Sequence, residues 1–335
     1  DLNLQKDRIQ LYQNQVFVTD NVEGIVPEFL GLLKGVIDSP DIPLNVSRSY
    51  LQSDASVKKI TNYITRKVAD KLNSIFKNER ENLESKWNDI KVVIEYGMLT
   101  EDKFYDKAES FNLYPTVDDK YFTYEELEKK IKKLQTDKDG NLIILYAQNK
   151  DEQYTYIESA KEKGYEVLLL DSPIIPHLMQ KLESKKEKIK FSRVDSDTLE
   201  NLIKKDEEVI SKLTDEEKEK LKPMIETAVE NEKYTVQLEA LDSNSMPFML
   251  AQPEFMRRMK EMQQTGGGAM GNLPDMYSLI VNTNHELVGK ILNTRTEKKR
   301  NSLIKQSIDL AKLSQNSLTG KDLTEFINRS IDLIK

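Results

Sequence analysis

The 335-residue sequence contains no cysteine and only two histidines, His177 and His285. Without cysteine the chain can form no disulfide, no thiolate metal site and no cysteine nucleophile. The two histidines lie too far apart in sequence to indicate a metal pair, and we interpret each as an ordinary structural or surface residue. We therefore predict no metal site, and a cysteine-free chain suits a reducing cytoplasm.

Long apolar runs are also absent. No segment approaches the roughly 18 apolar residues that a membrane-spanning helix needs, and no signal peptide precedes Asp1. We therefore predict a cytoplasmic protein without a membrane partner.

Basic residues are not in excess, since the net charge is −7. This balance argues against non-specific nucleic-acid binding. Because the sequence begins without methionine, we expect a fragment of a longer protein.

A chain of this length is expected to form two or three globular domains. Its patterns predict four parts: the end of a large α/β subdomain (1–60), a helical connector (61–138), a small βαβαβ subdomain (139–205) and a C-terminal dimerisation domain (206–335). The predicted fold class is a multidomain α+β and α/β protein. It combines a three-layer α/β remnant, the connector, a small parallel α/β layer, and an α+β domain that ends in a helical hairpin.

The most informative segment runs from residue 11 to residue 52. Residues 15–19 are mostly β-branched or aromatic, which predicts a buried strand. Apolar residues then recur at spacings of three and four over residues 25–37, which predicts a core-facing helix. Arg48 follows two prolines, just before a predicted long helix. Composition alone leaves two interpretations of Arg48 open: a surface arginine paired with a nearby aspartate, or a guanidinium offered to a phosphate that another domain holds.

Three blocks of this segment carry a specific resemblance: residues 11–20, residues 25–30, and residues 35–39 with 44–48 and 51–52. They resemble the middle domain of the ninety-kilodalton heat-shock protein chaperones, in the bacterial form, and weaker similarity extends to Lys335. The resemblance implies an ATP-hydrolysing chaperone in which Arg48 contacts the terminal phosphate of ATP and Gln52 assists it. ATP with Mg²⁺ would bind to an N-terminal domain outside this sequence. We therefore predict that the chain alone binds no cofactor and has no ATPase activity.

Residues 142–194 alternate between short apolar runs and helical patterns. This βαβαβ order predicts a small parallel sheet whose strands are buried on both faces. The first strand–helix junction has no glycine-rich turn to approach a phosphate, which disfavours a dinucleotide-binding enzyme. In the preceding connector, Trp87 is predicted to be a packing residue. Residues 195–222 are rich in Glu and Lys and predict a solvated linker with a surface helix.

A methionine-rich segment spans residues 246–262. Helical spacing is expected to place four apolar residues on one face, opposite Arg257, Arg258 and Lys260; the four are Phe255, Met256, Met259 and Met262. Methionine is flexible and can adapt to varied apolar partners, but such a stripe can equally pack into the domain core. Three glycines follow at 266–268 and indicate a flexible hinge. The resemblance places a client-contacting helix here, so it implies that these four residues bind unfolded client proteins.

The last two predicted helices carry wide apolar faces. The residues concerned are Leu303, Ile304, Ile308, Leu323, Phe326, Ile327 and Ile331. A two-helix hairpin cannot bury both faces alone, so we predict a homodimer in which two hairpins form a four-helix arrangement. Packing back onto residues 234–293 is the alternative. A non-catalytic dimeric scaffold, which binds proteins through the methionine-rich helix and uses no nucleotide, is the alternative function.

Overall fold

The computed structural model describes residues 9–20, 26–32, 34–40, 55–206, 209–229, 234–266 and 276–334. This described part is a mixed α+β structure. Its helices are, in chain order, α1 (Ala55–Asn78), α2 (Arg80–Ser85), α3 (Trp87–Thr100), α4 (Asp102–Ala108), α5 (Tyr124–Ile131), α6 (Tyr154–Glu162), α7 (Ile175–Lys185), α8 (Leu199–Leu202), α9 (Asp215–Val229), α10 (Glu254–Gly266), α11 (Glu286–Asn293), α12 (Glu297–Ser314) and α13 (Gly320–Ile334).

The described strands form four small sheets. In chain order they are β1 (Ile9–Gln13), β2 (Val16–Thr19), β3 (Gly35–Asp38), β4 (Tyr114–Pro115), β5 (Tyr121–Phe122), β6 (Leu142–Ala147), β7 (Val167–Leu169), β8 (Ile189–Arg193), β9 (Tyr234–Glu239), β10 (Phe248–Ala251) and β11 (Tyr277–Asn282). Two compact units contain these elements. The first comprises Asp1–Lys130, Leu170–Glu187 and Gln264–Gly267, and the second comprises Ile131–Leu169, Lys188–Gln263 and Gly268–Lys335. The four predicted domain boundaries stay a prediction.

The first unit opens with a sheet in the order β2-β1-β3, in which β2 is antiparallel and β3 parallel to β1. The strand predicted over 15–19 is confirmed, but its burial is not, because β2 is an edge strand and Val16 and Phe17 are more than half exposed. The helix predicted over 25–37 is wrong. A short 3₁₀ helix (Glu28–Leu32) is followed by β3, whose Ile37 packs beside Leu11 while its backbone pairs with β1.

Aromatic side chains form the core of the first unit. The ring of Phe104 lies between those of Phe29 and Phe111, with centroid distances of 4.6 and 6.3 Å. Gly97 on α3 faces this cluster so closely that an added Cβ would approach two of the rings to 2.8 Å. Trp87 is fully buried, which confirms its predicted packing role. The short hairpin of β4 and β5 is an addition to the purely helical connector that the sequence predicted.

The second unit contains the predicted parallel sheet, in the order β7-β6-β8. Every residue of β6 is buried, as expected for a central strand covered on both faces. The helix α6 ends before Gly164, whose φ of +75° is the left-handed conformation that favours glycine after a helix. Sequence reasoning therefore predicted this layer correctly, with strand ends within a few residues.

A second sheet in the same unit has the order β10-β11-β9, with β9 parallel and β10 antiparallel to β11. Its core includes Leu221 and Ile225 of α9 and Ile304 and Ile308 of α12. The solvated linker predicted over 195–222 is therefore corrected. Leu221 is a core residue, and Asp195 at the other end of the segment is also buried.

The two terminal helices α12 and α13 pack antiparallel. Gln306 Nε2 donates to Ser330 Oγ at 2.8 Å, and Arg329 donates to the buried carboxylate of Asp309. Burial raises the pKa of Asp309, although the charges of Arg329 and Lys312 oppose the shift. Searching the described ranges finds no helix with both the length and the apolar character needed to cross a membrane.

Candidate functional site

Arg48 and Gln52, the residues predicted to contact ATP, lie outside the described residues. Their contact with a nucleotide therefore stays a prediction. Within the described ranges, no group of three or more His, Asp or Glu side chains is arranged to hold a metal ion. The other predicted functional residues lie on α10 and on the terminal hairpin of α12 and α13.

The helix α10 packs on the parallel sheet through its charged face. Arg257 is only 4% exposed. Its Nη2 atom lies 2.6 Å from Glu254 Oε1, and its Nη1 atom lies 2.5 Å from Glu261 Oε1. The hydroxyl of Tyr146, on the central strand β6, donates to Glu254 Oε1 at 2.7 Å and accepts a hydrogen bond from Arg257 Nη2. The guanidinium of Arg257 thus joins two successive turns of α10 to the centre of the sheet.

The neighbouring strand β8 contributes to the same anchor. Arg258 donates through Nε to Glu254 Oε1 at 2.7 Å and through Nη2 to the carbonyl oxygen of Phe191. The backbone N–H of Arg193 donates to Glu254 Oε2 at 3.2 Å. Burial alone would raise the pKa of Glu254, but the charges of Arg257 and Arg258 outweigh it and hold that pKa below its ordinary value. Glu254 is therefore an ionised carboxylate at the centre of the anchor.

The polar network continues along the edge of the sheet. Arg193 contacts Asp195 through Nε at 2.6 Å and donates through Nη1 to Gln148 at 2.9 Å. Gln153 donates to Asp195 at 2.9 Å and accepts from the backbone N–H of Gln148 at 2.8 Å. Sequence reasoning missed this network. The signal that indicates it is the spacing of Glu254, Arg257, Arg258 and Glu261, which places four charges on one helical face.

The apolar residues of α10 lie away from this anchor. Phe255 is 71% exposed, and Met256, Met259 and Met262 are half-buried. We predicted that Lys260 lies with the two arginines, but its side chain is exposed. The inward face of α10 is occupied by the charged residues described above, which follow one another at spacings of three and four and contact the sheet. Among residues 254–263, Arg257 is the single buried side chain. The helix is therefore held by charge and presents Phe255 to the exterior of its own unit.

The residues predicted for dimerisation fall into two groups. Ile304 and Ile308 belong to the core beneath the second sheet, and Leu303 packs against that core. Leu323 and Phe326 are half-buried on α13. Ile327 and Ile331 are exposed to 47% and 46%, and Ile334 beyond them to 86%. The exposed apolar side chains of this hairpin are therefore the isoleucine stripe of α13 (Ile327, Ile331 and Ile334) together with Leu310 and Leu313 of α12, which are exposed to 40% and 42%.

Known proteins resemble the chain along most of its length. Residues 2–329 match the family described as Hsp90 protein. The chain is 45% identical to Chaperone protein HtpG of Bacteroides thetaiotaomicron, an alignment that covers 100% of this chain and 59% of the relative. It is 48% identical to Chaperone protein HtpG of Porphyromonas gingivalis, with 93% of this chain and 46% of the relative covered. The chain thus spans about half the length of these curated relatives. The resemblance found in the sequence is confirmed, and the chain belongs to the Hsp90 protein family.

Proposed function

We propose that this chain is the client-binding and dimerising part of a molecular chaperone. The observation that carries the proposal is the orientation of α10, which is anchored by Arg257 and leaves Phe255 exposed. Family membership supports it, because the matching relatives bear the name of a chaperone protein. An exposed aromatic ring beside three adaptable methionines is suited to unfolded segments, which offer apolar side chains without a fixed shape.

The expected strength of such a contact follows from the exposed area. Fully burying an exposed phenylalanine contributes about 1.5–3 kcal/mol, and half-buried methionines contribute less because part of their surface is already covered. A surface made of Phe255, Met256, Met259 and Met262 therefore gives a moderate affinity that depends little on the client sequence. That range suits a protein that binds and releases many partners.

Client binding is tested with a variant that carries Phe255→Ser, Met259→Ser and Met262→Ser. Its affinity for a permanently unfolded probe, such as reduced and carboxymethylated lactalbumin, is measured by fluorescence anisotropy. We expect at least a tenfold loss of affinity with an unchanged circular dichroism spectrum. The control is Tyr154→Ser, which removes a ring that is 62% exposed at the start of α6. Equal affinity of the triple variant and the control contradicts the proposal.

The homodimer is proposed to form through the isoleucine stripe of α13. Its apolar side chains are exposed in the single chain, and a twofold arrangement of two hairpins would cover both stripes at once. Mass measurement by light scattering at micromolar concentration tests this step. A mass equal to one chain refutes it.

The nucleotide part of the proposal rests on Arg48 and Gln52. A planar and permanently charged guanidinium is suited to the terminal phosphate of ATP, because it stabilises the charge that develops during phosphoryl transfer. The test uses the full-length protein with Arg48→Ala, which should bind ATP normally and lose most of its hydrolysis. Normal hydrolysis by this variant refutes the assignment. Absence of ATP binding and hydrolysis in the wild-type protein would instead favour a scaffold without nucleotide dependence.

A further inference from the structure

The face by which α10 is held differs from that of an ordinary amphipathic helix. Such a helix buries its apolar stripe and exposes its charges. In α10 the charged residues Glu254, Arg257 and Glu261 face the sheet, and Phe255 is exposed. Nothing in the hydrophobic effect selects this orientation, because burying Phe255 would be the more favourable choice. The orientation therefore depends on the polar contacts that Arg257, Glu254 and Arg258 make with the sheet.

We propose that Arg257 is a positioning residue for client binding, which together with Glu254 and Tyr146 holds α10 in the orientation that exposes Phe255 and leaves the three methionines half-buried. This inference rests on the proposed function. Arg257 provides the bridge, since one guanidinium contacts Glu254 and Glu261 on its own helix and the hydroxyl of Tyr146 on β6. Arg257 and Tyr146 are buried, whereas the side chain of Glu254 is 19% exposed, so the two buried groups depend on each other and on this carboxylate for their hydrogen bonds.

Loss of Arg257 has two possible consequences for the helix, and both remove the client-binding face. Glu254 would keep Arg258 and the backbone N–H of Arg193 as partners, but the cation that joins Glu254, Glu261 and the hydroxyl of Tyr146 would be lost. This loss favours separation of α10 from β6. A detached helix of 13 residues is marginally stable in water and frays. If the helix instead rotates, Phe255 turns inward and is no longer available to a client.

The experiment compares three variants with the wild-type protein in the dimeric full chain. Arg257→Met removes the charge and keeps the length of the side chain. Arg257→Lys keeps the charge but loses the planar fork that contacts two acceptors at once. The matched control is Arg295→Met, the same change at an exposed arginine outside α10. Amide hydrogen exchange of residues 257–263 and of β6 is measured together with affinity for the unfolded lactalbumin probe.

For Arg257→Met we expect at least a tenfold loss of protection in residues 257–263, unchanged protection in β6, and at least a tenfold loss of probe affinity. Arg257→Lys should lie between this variant and the wild type, and Arg295→Met should match the wild type. Unchanged protection of α10, or an equal loss in α10 and β6, overturns the inference. The second outcome would identify Arg257 as a general packing residue of the unit.

A milder variant keeps the inference testable if Arg257→Met fails to fold. Tyr146→Phe removes the hydroxyl that joins Glu254 and Arg257 and leaves the ring in the sheet. It should lower both the protection of α10 and the probe affinity about threefold, and an unchanged value of either overturns the inference. The serine variant of the outer face tests the proposed function by itself, so the two failures are distinguishable.

Discussion

A buried carboxyl group on α3 makes the stability of the first unit depend on pH. Glu95 is 7% exposed, and its Oε2 atom has no hydrogen-bond partner among the described residues. Burial raises the pKa of Glu95 to about 7. The negative charge of Asp171 adds to this shift, while the Ser172 hydroxyl and the ammonium of Lys91 oppose it. The folded protein therefore favours the protonated acid.

The sign and size of the effect follow from the two pKa values. Between the ordinary value of 4.5 and about 7, the folded chain keeps a proton on Glu95 that the unfolded chain has lost. The free energy of unfolding must therefore fall as pH rises through this window, and Glu95 adds no further slope above it. At about 1.4 kcal/mol per pKa unit, the free energy of unfolding falls by about 3 kcal/mol across this window.

The variant Glu95→Gln isolates this contribution, because an amide resembles the neutral acid and cannot ionise. Urea unfolding is followed by the fluorescence of Trp87, the single tryptophan, which is fully buried at the start of the same helix. We expect the variant and the wild type to be similarly stable at pH 5, and the variant to be about 3 kcal/mol more stable at pH 8. Glu81→Gln, at an exposed position on α2, is the control. Parallel pH profiles for Glu95→Gln and the wild type would refute the reasoning.

Three further changes have expected outcomes. Gly97→Ala should destabilise the first unit by about 2 kcal/mol in urea unfolding, because the new methyl group meets two buried aromatic rings at 2.8 Å; unchanged stability would contradict the packing described. Arg329→Met should cost about 3 kcal/mol and lower the melting temperature, since it leaves Asp309, 3% exposed, without its main partner; the exposed Lys321→Met is the control. Ile327→Asp combined with Ile331→Asp should convert a dimer to single chains in light scattering, with an unchanged helical signal; a persisting dimer would place the interface elsewhere.

The sequence predicted the parallel layer well because its signals are local. The apolar run of β6 and Gly164 after α6 determine their own conformation within a few residues. The segment 25–37 was assigned wrongly for the opposite reason. Its apolar spacing fits a helix, but residues 35–38 pair with β1, and the partner strand lies more than 20 residues earlier in the chain. Burial was misjudged in β2 because an edge position cannot be recognised from the composition of one strand.

The orientation of α10 required information that no local pattern contains. Helical periodicity correctly separated Phe255 and the methionines from Arg257 and Arg258, and the usual rule would then bury the apolar side. The rule fails here because the guanidinium of Arg257 donates a hydrogen bond to the hydroxyl of Tyr146 at the centre of the sheet. Tyr146 lies 111 residues earlier in the chain than Arg257. Burying a charged face is favourable only when such partners complete its hydrogen bonds. The charged stripe of α10 therefore faces partners from a distant part of the chain, and this orientation leaves Phe255 exposed.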